Sequence, residues 1–258
     1  MLVRRAEYWV SAISSRLNLI RSGHAQGVSL GYLDRSGCVL MDEPRAALKW
    51  IFPAVDGSMI DHALLQAQSS VDAAQLDEGS SVRPASERWN IEPLTAELLA
   101  AVVILLNPRH IVEVGVANGT STRVMLSALE VVGDGRLLSF DIDPRCANVV
   151  SSRLAHRWDF QLLPTGQVAS LVELERQVMG MTATDLWFSD ADHSFAWQKA
   201  EWTIALRALR PGGILIADDV DATPAWPIAT HGWDVAGLVD RRKVTGAARM
   251  HRDAGAPA

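Results

Sequence analysis

Cysteine is nearly absent from the 258-residue chain: Cys38 and Cys146 stand far apart and form neither a metal knuckle nor a redox pair. Buried free thiols in a reducing cytoplasm are the expectation. Nor does any apolar run approach the roughly 18 residues needed to cross a bilayer. The start, Met1-Leu-Val-Arg-Arg, carries the positive charge of a targeting segment but passes Glu7 and Arg16 without an apolar stretch. Basic charge is also short. A net charge of −6 and a pI near 5.6 leave no basic stripe for phosphates, which excludes a nucleic-acid surface and favours small or neutral partners. Lysine is scarcer still, since Arg outnumbers Lys 21 to 3, and we read this as a compositional habit.

What is present is a regular alternation. The spacing predicts helices over 94–106, 120–130, 144–156, 168–178 and 195–209, and strands at 111–114, 137–140, 160–163, 186–188 and 214–216. Residues 232–239 and 244–250 follow as a hairpin joined by Asp240-Arg-Arg-Lys243, a run read as a solvated turn. Strands separated by helices imply an α/β, doubly wound Rossmann-like sheet, mostly parallel, ending in an antiparallel hairpin. This catalytic domain is expected over 89–252, with 253–258 a tail and 1–88 a mainly helical extension. In the extension, Ala6, Val10, Ile13, Leu17 and Ile20 form a helical stripe. The stripe needs a partner, either the main domain or another copy of the chain in a homodimer or higher homo-oligomer. Residues 66–88 read as a polar linker or lid.

Chemistry should collect where such strands end. After the first strand comes Glu113-Val-Gly-Val-Ala-Asn-Gly-Thr-Ser-Thr122. Gly115 and Gly119 permit close ligand approach, and Thr120 or Ser121 is placed to cap the next helix. The spacing is not the G-x-G-x-x-G of a dinucleotide loop. Glu113 would repel a pyrophosphate but suits a ligand bearing ammonium and sulfonium charge, such as S-adenosylmethionine. Asp141 ends the second strand, where an acid accepts from ribose hydroxyls, while Asp143 before Pro144 reads as an N-cap. In Thr165-Gly-Gln167, Gln167 is placed to meet an adenine, or the segment is an ordinary helix-starting turn.

Phe188-Ser-Asp-Ala-Asp-His193 follows the fourth strand and Ala217-Asp-Asp-Val220 the fifth. Neighbouring strands would bring Asp190, Asp218 and Asp219 together, where they repel unless a divalent cation joins them; all-oxygen ligation suits Mg²⁺, Mn²⁺ or Ca²⁺. The alternative is that one acid meets the cofactor and the rest face water. His193, or Asp192 in competition, is the candidate proton acceptor, and a capping role is the ordinary alternative for such a histidine. Trp187, Trp197 and Trp202 read as core, and Trp226 as an apolar wall over the site or a surface-loop residue.

Over about residues 90–250 the ordered motifs Ile91-Glu-Pro, Val112-Glu-Val-Gly, Phe140-Asp-Ile-Asp-Pro144, Ser189-Asp-Ala-Asp-His193 and Pro211-Gly-Gly-Ile-Leu-Ile-Ala-Asp-Asp219 resemble the class I S-adenosylmethionine-dependent methyltransferases. The resemblance is to cation-dependent small-molecule O-methyltransferases of the catechol and caffeoyl-CoA type. It implies Glu113, Gly115, Ala117, Asn118, Gly119, Thr120 and Ser121 at the methionine portion of the cofactor, Asp141 at its ribose and Gln167 near its adenine. It also implies Asp190 beside the cofactor and, with Asp218 and Asp219, around a divalent cation, Mg²⁺ by expectation. Asp218-Asp219 replaces the Asp-Asn of catechol-type enzymes and His193 their catalytic lysine, a pattern more similar to the sugar O-methyltransferases of antibiotic biosynthesis. The implied reaction is O-methylation of a phenolic, sugar or natural-product hydroxyl in secondary metabolism. A metal-independent methyltransferase, a nucleotide-binding oxidoreductase and a silent binding module on the same fold are the alternatives.

Overall fold

The computed structural model describes Leu33 and residues 38–77, 83–87, 90–240 and 243–250. The expected helix over 4–20 and the tail at 253–258 lie outside these residues. In chain order the elements are β1 (Val39–Met41), α1 (Pro44–Ile51), α2 (Gly57–Leu76), α3 (Pro93–Leu106), β2 (His110–Val114), α4 (Thr120–Val132), β3 (Arg136–Asp141) and β4 (Trp158–Leu162). They continue with α5 (Gln167–Met179), β5 (Thr184–Ser189), α6 (Phe195–Ala208), β6 (Leu209–Ala217), α7 (Ala225–Ala229), β7 (Asp234–Asp240) and β8 (Lys243–Arg249).

Eight strands form one sheet in the order β1-β7-β8-β6-β5-β2-β3-β4. Only β8 runs against the rest, pairing antiparallel with β6 and β7. The strand period of two divides the core into two layers. Ile111, Leu186, Phe188, Ile214 and Ile216 pack beneath α2, α3 and α4, while Val112, Val114, Trp187, Leu215 and Ala217 pack against α5, α6 and α7. From β2 the chain winds outward to β3 and β4, then returns to β5 on the other side. The crevice beyond the ends of β2 and β5 is therefore the switch point where a ligand belongs.

Three readings of local structure change. Residues 66–76 are the second half of the twenty-residue helix α2, not a linker. Its N-terminus is capped by Asp56, which accepts from the Ser58 N–H at 2.8 Å. Its buried face is largely alanine (Ala63, Ala67 and Ala74, with Ile60 and Val71), so it packs closely on its neighbours without a conspicuous apolar stripe. Residues 144–156 form two short 3₁₀ turns, Pro144–Asn148 and Ala155–Arg157, rather than a helix. The intervening Val149-Val-Ser-Ser152 is a poor helix former. The strand expected at 214–216 starts earlier, at Leu209, with Arg210-Pro-Gly-Gly213 inside β6 at a register irregularity. No described helix is long and apolar enough to cross a membrane.

Candidate active site

The loop after β2 leaves ordinary backbone geometry three times, at Gly115 (φ 94°), Ala117 (φ 48°) and Gly119 (φ 71°). A Cβ at Gly115 would lie 2.0 Å from the Asp190 carbonyl oxygen, so glycine is what lets the loop close against the end of β5. Gly119 itself occupies the N-cap of α4. Thr120 opens the helix without capping it, and Ser121 is turned into the core, where it donates to Glu113 at 2.6 Å.

Beside the loop lies a cavity of about 480 Å³ walled by Gly115, Ala117, Asp141, Gln167, Asp190 and Trp197, among others. That volume lies within the range of cofactor pockets. Asp141 accepts from the N–H groups of Val116 (2.8 Å), Ala117 (3.1 Å) and Asp143 (2.9 Å). A carboxylate offers about four acceptor positions, and Asp141 uses three of them to fix the loop. Asn118 works from behind: its Oδ1 accepts from the Ala85 N–H at 3.0 Å and its Nδ2 donates to Asn90 Oδ1 at 3.2 Å. With Arg145 donating to the Pro84 carbonyl at 2.9 Å, this draws Pro84 and Ala85 into the cavity wall.

Glu113 has a different place from the one expected. Alternation along β2 puts it on the same face as Ile111, under α4, where it is fully buried and accepts from Ser121, Thr122 (2.8 Å) and Ser139 (2.5 Å). Burial raises its carboxyl to about 7 against these three bonds. It braces the sheet against α4 and does not line the cavity. Gln167 does line it, with its Nε2 donating to Asp192 at 2.5 Å.

The expected acids do gather beyond β5 and β6, in a revised pattern. His193 Nε2 stands 3.4 Å from Asp219 Oδ2 and 3.7 Å from Asp190 Oδ1. Asp219 reaches out from a left-handed backbone position (φ 50°), while Asp218 points back into the protein. There Lys243 Nζ donates to its Oδ2 at 2.7 Å and Thr245 Oγ1 to its Oδ1 at 2.9 Å. Lys243 also stands 3.3 Å from Asp219 Oδ2. Burial works against the Lys243 ammonium, but Asp218, Asp190 and Asp219 together hold its pKa above the usual value. Burial, then Asp218, pushes the Asp190 carboxyl well above the normal carboxylate range, with Lys243 acting the other way.

Asp218 is thus tied to β8 through both oxygens, each of which keeps a further acceptor position. The set that does converge is Asp190, His193 and Asp219, each with a ligand atom within 4.8 Å of the others. Asp192 is occupied otherwise, accepting from the Ser194 N–H at 2.8 Å as well as from Gln167. Burial opposes its ionisation, yet these bonds hold its carboxyl below the usual value. Trp226 is fully buried against Trp202 (ring centroids 5.3 Å apart) and forms no wall of the site.

Several contributors escaped the sequence reading. Lys243 is mostly buried rather than solvated; Arg241 and Arg242 lie outside the described residues. Lys243 and Thr245 are two apart on β8 and so share a face, a signal that required knowing β8 lies beside β6. Trp197 lines the cavity, and Glu201 accepts from its indole N–H at 2.6 Å and from that of Trp187 at 3.1 Å. Burial lifts the Glu201 carboxyl to about 7.

Comparison with known proteins agrees with this architecture. Residues 112–220 match a family model described as a methyltransferase domain. No curated protein matches the chain. Among solved structures, a Klebsiella pneumoniae protein assigned as an O-methyltransferase is 19% identical, covers 80% of this chain and 96% of its own, and superposes with a TM-score of 0.51. An O-methyltransferase from Bacillus cereus in complex with S-adenosylhomocysteine is 18% identical, with 73% and 90% coverage and a TM-score of 0.49. TomG from Streptomyces achromogenes, an O-methyltransferase of tomaymycin synthesis in complex with S-adenosylmethionine, is 19% identical, with 73% and 89% coverage and a TM-score of 0.46. The matched methyltransferase domain spans the glycine loop, the acids after β5 and the Asp218–Asp219 pair, and the fold is the Rossmann-like fold of methyltransferases.

Proposed function

We propose that the protein methylates a hydroxyl oxygen of a small molecule and that His193 accepts the proton. The observation that carries this reading is the partly exposed imidazole next along the chain from the cavity-lining Asp192, its Nε2 3.4 Å from Asp219 and 3.7 Å from Asp190, the latter also lining the cavity. With Nε2 turned to the carboxylates, Nδ1 is the free acceptor, a base oriented by neighbouring acids. As the hydroxyl proton passes to Nδ1, the oxygen lone pair attacks the methyl carbon. The C–S bond breaks, its electrons return to sulfur, and S-adenosylhomocysteine leaves. Alignment of oxygen, carbon and sulfur supplies most of the acceleration. The acidic chain supports an uncharged or cationic small acceptor over a nucleic acid, and two buried cysteines outside any disulfide accord with a reducing cytoplasm.

A second reading keeps a divalent cation, and the convergence of Asp190, His193 and Asp219 favours it. These three would hold the ion, whose contribution is to lower the pKa of a bound hydroxyl. The experiment is a screen of phenolic, glycosidic and polyketide acceptors with methyl-labelled S-adenosylmethionine, in excess EDTA and with Mg²⁺, with products located by mass spectrometry. O-methylated product in EDTA supports the first reading. Product only with Mg²⁺ supports the second, and N- or C-methylated product rejects both.

A further inference from the structure

Lysine is rare in this chain, and one of its three copies is buried among carboxylates at the proposed acceptor end. The register explains how it arrives. Ala217 pairs with Gly246 across β6 and β8, so Thr245 and Lys243, on one face of β8, meet the first residues beyond β6. The result is a continuous line of contacts: Thr245 to Asp218, Asp218 to Lys243, Lys243 to Asp219, Asp219 to His193 and His193 to Asp190. Thr245 is tied in turn to Thr95 of α3 at 2.7 Å between hydroxyl oxygens, which anchors the line in the core.

The ammonium stands 2.7 Å from Asp218 and 3.3 Å from Asp219. A Mg²⁺ bound by both residues would lie about 2.1 Å from an oxygen of each, in the space beside the pair that Nζ already shares. An arginine, the cation this chain uses almost everywhere else, is a broad planar fork and would not fit between adjacent carboxylates as a compact ammonium does.

We propose that Lys243 is the resident cation of the acceptor site: it holds the Asp218–Asp219 pair in place of a divalent ion and, through Asp219, positions His193. This deepens the first reading above and rests on it. Lys243 is here a positioning residue, since it lies outside the lining of the cavity and acts through Asp219.

The test uses the full chain and Mn²⁺ alone as probe, followed by electron paramagnetic resonance, with S-adenosylhomocysteine affinity measured separately by calorimetry. Wild type is expected to bind Mn²⁺ weakly. Lys243→Met, which removes the ammonium and exposes the aspartates, is expected to bind it at least roughly tenfold more tightly, because a like charge a few ångströms away is gone. Lys243→Met combined with Asp218→Asn should return to the wild-type level, a reversal that a merely structural lysine would not produce. Tight, stoichiometric Mn²⁺ binding by wild type that is lost in Asp219→Ala, or no gain in Lys243→Met, overturns the proposal. If Lys243→Met does not fold, the wild-type titration with its Asp219→Ala control decides alone. Failure of S-adenosylhomocysteine to bind wild type would instead count against the methyltransferase reading on which the proposal stands.

Discussion

The two ends of the cleft both gather carboxylates at strand ends, and they neutralise them by different means. Around the glycine loop, Glu113, buried beneath α4, is held by three hydroxyls, and Asp141, in the cavity wall, by three backbone N–H groups, all uncharged donors supplied by neighbouring segments. At the acceptor end, Asp218 and Asp219 meet the Lys243 ammonium, and Asp219 and Asp190 meet the His193 imidazole. Neutral hydrogen bonds in the first case build a fixed frame, while ionisable partners in the second leave groups that can move a proton or respond to charge. Disturbing one end should therefore change folding and cofactor affinity, and disturbing the other should change turnover.

The largest effect expected at the cofactor end is that of Gly115→Ala. Its positive φ costs a side-chain-bearing residue about 1–3 kcal/mol, and the new Cβ would collide with the Asp190 backbone; denaturant unfolding should show the loss. His193→Asn should lower methyl transfer by roughly 10²- to 10⁴-fold, measured as single-turnover rate, with the unfolding free energy changed by no more than about 0.5 kcal/mol. Equal loss of stability would erase the distinction between the two ends. Glu201→Gln presents an amide N–H to an indole N–H and should cost about 1–3 kcal/mol. Asn118→Ala releases Asn90 and the cavity-wall residue Ala85 and should weaken S-adenosylhomocysteine by about 1 kcal/mol, several-fold in a calorimetric titration.

The smallest effect is one of pH. Glu113 has a folded-state pKa of about 7 against an ordinary 4.5, so the folded protein holds that proton more tightly than the unfolded chain. Its contribution to stability is full below 4.5 and is lost as pH rises through 7. Glu113→Gln, whose hydroxyl partners can reverse their bonds, should fold and show a flatter decline of melting temperature across that interval. An unchanged decline would place the titration elsewhere.

The fold was legible because its signals are local. β-Branched runs, glycines after β2 and alternating helices define a parallel sheet, and Gly115, Asp141, Asp190 and His193 all follow strand ends. Side-chain direction within strands was legible only by counting: from Ile111, period two already sends Glu113 under α4 rather than toward the ligand. What no count could supply was adjacency across the sheet. Lys243 lies far along the chain from Asp190, and only the insertion of β8 beside β6 brings its ammonium to the aspartates. The alanine face of α2 escaped for another reason, since small side chains pack closely while leaving little apolar contrast. Trp226, read as a wall of the site, is buried behind β8, where a Cβ at Gly246 would meet its ring at 2.5 Å.

The separation of the two ends is tested most directly by titrating S-adenosylhomocysteine into wild type and His193→Asn by calorimetry. We expect both to bind one equivalent with affinities within about twofold of each other, roughly 0.4 kcal/mol. No binding to wild type, or its loss when only His193 is changed, would contradict the account.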